Sequence, residues 1–129
     1  MVTGIVKVEI NIEKHIIASL ILARRVLARI SDEPKEERRH LLLATRRLSE
    51  AITYLRQLEY LECREPGKGK FAEVETIRPI IRDLAQLDND IHAAILGRSF
   101  WLTSSTAIAS INTAITELEQ LKKMELRFG

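Results

Sequence analysis

Three histidines, His15, His40 and His92, are the first candidates for chemistry. A carboxylate-bridged di-metal centre in a helical bundle takes Glu-x-x-His from two helices and one Glu from each of the other two. Glu37-Arg38-Arg39-His40 has that spacing. The matching half-site would be Asn89-Asp90-Ile91-His92, where Asn stands in place of the bridging carboxylate. The first and fourth helical segments show no clear inward Glu, so the histidines read as surface or flank residues and no metal is expected. Cys63 is the only cysteine, which excludes an internal disulfide and a multi-Cys zinc site and points to a reducing compartment. No motif pairs it with a histidine. Ser104 and Ser105 lack the strained Gly-x-Ser-x-Gly turn of a nucleophile and read as helix caps. Gly67-Lys68-Gly69-Lys70 lacks the spacer, the following Ser/Thr and the preceding strand of a phosphate loop. The chain therefore reads as a non-enzyme with no cofactor.

The arginines are the remaining chemical signal. Lys plus Arg is 20 and Asp plus Glu is 18, a formal charge of +2. Through Arg64 there are twelve basic and nine acidic residues; from Glu65 onward there are eight and nine. The excess gathers at Arg24, Arg25, Arg29, Lys35, Arg38, Arg39, Arg46 and Arg47. A guanidinium presents a planar fork suited to phosphate and carboxylate alike. Two readings follow: a solvated face paired with Glu36, Glu37 and Glu50, or a surface that contacts nucleic-acid phosphates. No helix-turn-helix, zinc-finger or RNP motif is present, so contact would be with the backbone of RNA or DNA. Aromatic residues are 5% of the chain, which leaves little material for stacking exposed bases, so a single-strand binder built on aromatic platforms is not expected.

Helical periodicity covers most of the sequence and must position these residues. With 129 residues, 46% of them hydrophobic, the chain supports a single folded domain spanning 1–129. The first helix is expected over about 11–30, with Ile16, Leu20, Ala23 and Leu27 on one stripe. Residues 1–10 read as helix or as an extended arm, because Val6 to Ile12 alternate like a strand while Ile5, Val8 and Ile12 also share a helical face. Ser31, Asp32 and Pro34 mark a break and the start of a second helix ending near Glu62. Its main stripe is Leu41, Ala44, Leu48, Ile52 and Leu55; a second row is Leu43, Ala51, Tyr54, Leu58 and Leu61. Together these exceed the roughly 100° arc that a helix facing one core needs. The surplus reads either as a subunit interface, carried by Leu43, Tyr54, Leu58 and Leu61, or as a wide buried face.

Residues 65–70 form a flexible basic loop by composition. The third helix is expected over about 71–96 with Val74, Ile77, Ile81, Leu84, Leu87, Ile91 and Ile95 in its core row and Gly97 at its end. Pro79 either kinks it or sits in the first turn of a helix capped by Thr76. The fourth spans about 103–125, with Ile108, Ile111, Ile115, Leu118 and Leu121 inside and Ser and Thr outside. Phe100 and Trp101 are placed at the connection, plugging one end of the bundle. The fold class is all-α, an antiparallel up-down four-helix bundle. The longest dense apolar run, 16–23, is far shorter than the roughly 20 residues of a membrane span, and no signal peptide is visible. A cytoplasmic protein with no membrane contact is expected.

The second helix opens Pro34-Lys35-Glu36-Glu37-Arg38, followed by Leu41, Arg46-Arg47 and Ile52. This resembles the four-helix proteins encoded in 23S rRNA intervening sequences. Leu84-Ala85-Gln86-Leu87-Asp88-Asn89-Asp90-Ile91 is similar to that family's Leu-Ala-Glu-Leu-Glu-x-x-Leu. The likeness covers about 11–124, though only these two patches are specific. Where that family continues into a Pro-Asn-Ile-x-Glu-Gly type segment, Ser49 to Leu55 here continue the helix. The related accessory variability determinant (Avd) proteins of diversity-generating retroelements share that departure. The resemblance implies a basic homopentameric ring that binds nucleic acid and a reverse transcriptase and has no active site. A protein-only scaffold and a helical small subunit of a ribonucleoprotein effector are the alternatives.

Overall fold

The computed structural model describes residues 4–30, 32–64, 70–97 and 104–128. These form four helices: α1 (Gly4–Ala28), α2 (Glu37–Arg64), α3 (Lys70–Ile95) and α4 (Ser104–Phe128). A short 3-10 turn, Pro34–Glu36, leads into α2. Among the described residues there is no strand, so 4–10 belong to α1 and are not an extended arm. Each helix touches its two neighbours around a square: α1 with α2, α2 with α3, α3 with α4 and α4 with α1. Among the described residues no Cα atoms of diagonally placed helices come within 8 Å of each other. Of the basic loop expected at 65–70, Lys70 is the first residue of α3; residues 65–69, Phe100 and Trp101 lie outside the described residues.

The core follows the helical repeat. Ile16, Leu20, Ala23 and Leu27 of α1 are fully buried, as are Ala44, Leu48, Ala51, Leu55 and Leu58 of α2. Leu58 and Ala51 were expected in a row facing a second subunit; both turn inward. The physical reason is that α2 packs against α1 on one flank and α3 on the other, so a stripe wider than 100° is needed within one chain. In α3, Ile80 rather than Ile81 is fully buried. In α4 the innermost row is Ala107, Ile111, Ala114, Leu118 and Leu121, while Ile108 and Ile115 are half-buried on the flanks.

The core row of α1 continues backwards in four-three steps from Leu27 through Ile16 to Glu13 and Glu9, and both glutamates are fully buried. The expectation that the first helix offers no inward carboxylate is therefore wrong. Pro79 lies well inside α3, which excludes a helix beginning there. Gly97 closes α3 in the left-handed conformation at φ +72°, its N–H bonded to Ala94 O at 3.0 Å. Arg29 O accepts bonds from Asp32 N at 3.1 Å and Glu33 N at 2.9 Å, which tightens the connection from α1 to α2.

Candidate nucleic-acid interface

Residues 24–47 contain eight Lys/Arg and four Asp/Glu, more excess positive charge than the whole chain carries. They span the end of α1, the connection and the first turns of α2, so the fold gathers them at one end of the helix pair. Two of the eight are committed to the bundle. Arg24 turns towards α4 and its Nη1 donates to Asn112 Oδ1 at 2.7 Å. Arg47 Nη1 donates to both carboxylate oxygens of Glu50, at 3.3 and 3.2 Å. Ser19 Oγ of α1 approaches the same carboxylate at 3.5 Å, so this group ties α1 to α2.

The other six are exposed. Arg39 lies 3.9 Å from Glu36, one turn away in sequence, a loose pair at the surface. Arg25, Arg29, Lys35, Arg38 and Arg46 have no ion pair among the described residues. Lys35 and Arg38 sit beside the N-terminus of α2, where Glu36 and Glu37 complement the helix dipole. Arg39 and Arg46 are two helical turns apart on the outer face of α2, separated by about 10 Å. These side chains present donors to solvent with no carboxylate competing for most of them.

The histidines have separate structural tasks. His40 is buried with Nε2 3.2 Å from Glu33 Oε2, which fastens the α1–α2 connection to α2. His15 stacks on Tyr54, ring centroids 5.6 Å apart and planes 17° from parallel. His92 Nδ1 donates to Asp88 O at 2.9 Å on its own helix. No three His, Cys, Asp or Glu side chains among the described residues are placed to hold a metal ion. Glu9 and Glu13 are inward, but His40 lies beyond the other end of α1, roughly 20 Å along the axis. The Cys63 side chain lies outside the described part.

The four proposed interface residues divide. Leu58 is core; Tyr54 is half-buried against His15; Leu61 is half-buried; Leu43 is exposed. Leu22 of α1 and Leu42 of α2 are also exposed and were not singled out from the sequence. Their signal is weak, because each is one apolar residue among many on a long helix. Also missed was a surface groove of about 600 Å³ between the first turns of α1 and the last turns of α2. Val8, Ile12 and Leu61 form its apolar wall, and Arg56, Gln57 and Tyr60 lie along its outer side.

No helix among the described residues is long and apolar enough to cross a membrane. No family model, no curated protein and no solved structure matches the chain.

Proposed function

We propose that this chain is a non-catalytic, oligomeric accessory protein of the cytoplasm that binds the backbone of RNA or DNA. The observation that carries the reading is the set of exposed cations at 25–46 that have no ion pair among the described residues: Arg25, Arg29, Lys35, Arg38 and Arg46, with Arg39 loosely paired beside them. Phosphate contact by such a surface is salt-dependent and carries little base information. The helices run antiparallel, up and down. Supporting this is the order of contacts, with His15 against Tyr54 and, further along α1, Ser19 against the earlier Glu50. Subunits pack through Leu43 and the neighbouring exposed leucines into a homo-oligomeric ring. The resemblance to retroelement accessory proteins makes the ring a pentamer and its protein partner a reverse transcriptase.

The test is fluorescence anisotropy of labelled structured RNA titrated with protein at several salt concentrations. Affinity that falls steeply with salt is expected, with a marked loss in Arg39→Glu/Arg46→Glu while circular dichroism is unchanged. No binding at low salt would replace this reading with a protein-only scaffold. Undiminished binding by the double variant would remove α2 from the interface.

A further inference from the structure

The exposed cations at 25–46 stand on a fixed frame. Arg25 lies in α1 and Arg29 just after it, Lys35 in the 3-10 turn, and Arg38, Arg39 and Arg46 in α2. The connection between the two helices is fastened at both ends. Arg29 O accepts main-chain bonds from Asp32 and Glu33, and the buried His40 of α2 holds the Glu33 carboxylate at 3.2 Å. The charges on the two helices therefore keep their separations before any ligand arrives. Arg39 and Arg46 are about 10 Å apart along α2, and the axes of packed helices lie roughly 8–10 Å apart. The phosphate rows that flank a groove of a B-form double helix are separated on the same scale, by roughly 6–12 Å.

Single and double strands differ in what they offer such a frame. A duplex carries one charge per roughly 1.7 Å of axis, against one per roughly 3.4 Å along each strand alone. Its phosphates are already held in place, whereas a flexible strand loses conformational freedom when a rigid set of cations orders it. Single-strand binders offset that cost by stacking bases on aromatic rings. Residues 24–47 contain no Phe, Trp or Tyr, and the one ring among them, His40, is buried. What this segment offers a nucleic acid is charge held at fixed spacing. Each cation engaged contributes roughly 0.9 to the salt slope on a duplex and roughly 0.7 on a single strand. With four or five engaged, the difference amounts to roughly six- to tenfold in affinity for each tenfold fall in salt.

We infer that the cations at the α1–α2 corner seat a double-stranded nucleic acid, with Arg25 and Arg29 on one phosphate row and Arg39 and Arg46 on the other. The inference rests on the backbone-binding reading above and adds the form of the ligand. The phosphate rows belong to an RNA or a DNA duplex alike, and the two sources are separated by the choice of probe.

The experiment uses the full chain and three labelled probes of one length and sequence: a single-stranded RNA without self-complementarity, its RNA duplex, and the corresponding DNA duplex. Anisotropy is followed at several salt concentrations. At about 0.1 M salt at least one duplex is expected to bind roughly six- to tenfold more tightly than the single strand, with a steeper salt slope. Equal binding of both duplexes assigns the contact to phosphate rows in general; a preference for one assigns it to that helical form. Arg25→Gln/Arg29→Gln, two changes at exposed positions, should lower the duplex slope by roughly one to two units. A duplex slope unchanged in that variant overturns the seating across two helices. Single-strand binding as tight as that of both duplexes overturns the preference and leaves the backbone reading standing. Failure of the unmodified chain to bind any of the three probes overturns both.

Discussion

Asp88 is the residue at which ionisation and packing conflict. Its side chain is 18% exposed on α3, and burial raises its carboxyl above the ordinary value, with the nearby His92 opposing the shift. The charged form is thus penalised in the fold. Below the unfolded-state pKa both states are protonated and no penalty exists; it develops as pH rises through that range and is complete above the folded-state pKa. Asp88→Asn should therefore raise the melting temperature at about pH 7.5 and give little gain near pH 3. The His92 Nδ1 bond to Asp88 O involves the main chain and survives the change. Equal gains at both pH values would show that ionisation is not the cause. A sequence gives no access to such a conflict. Asp88 belongs to a polar run with Asn89 and Asp90, and only the packed helix separates the shielded carboxylate from its neighbours. The same holds for Glu9. Read as a strand, Lys7, Glu9 and Asn11 share a polar side; wound into α1, Glu9 joins Glu13 and Ile16 on the buried row.

The helices themselves were legible because the spacing of Leu, Ile and Ala repeats with the helical period for several turns. Gly97 also marked its terminus correctly, since an αL position strongly favours glycine. What the pattern could not decide was the meaning of an unusually wide apolar arc. A second helix within the chain and a second chain demand the same residues of α2. Leu58 separates the two demands. It is wholly buried between neighbouring helices, so Leu58→Ala should cost about 3 kcal/mol of folding stability through transfer loss and cavity formation. Urea unfolding followed by circular dichroism measures this as a lower midpoint at unchanged slope. If Leu58→Ala instead left stability intact and altered only the molecular mass, the placement of Leu58 inside the bundle would be wrong. Ile80 and Ile81 teach the same lesson on α3. Adjacent isoleucines differ by 100° around the helix, and small differences in helix rotation determine which one is fully enclosed.

At the scale of the molecule, a net charge of +2 is too small to hold a polyanion by itself, yet residues 24–47 concentrate the excess at one end of α1 and α2. Repeating that end around the proposed ring would sum the fields and let one nucleic acid touch several subunits at once, which raises avidity without any new kind of contact. The proposed ring would therefore couple assembly to binding, and that coupling can be measured. Leu43 is 37% exposed and lies apart from the fully buried residues of α2, so Leu43→Glu should leave the helical content unchanged. It places a carboxylate in the proposed subunit contact and should reduce the mass seen by light scattering to that of one chain. The slope of log affinity against log salt grows by roughly 0.9 for each phosphate neutralised on a duplex and by roughly 0.7 on a single strand. The dissociated variant should show a shallower slope and weaker binding than the unmodified chain. A monomeric variant with an unchanged slope would mean that each subunit binds alone. A variant whose mass does not fall would move the subunit contact away from Leu43 and leave Leu22 and Leu42 as the next exposed apolar positions to test.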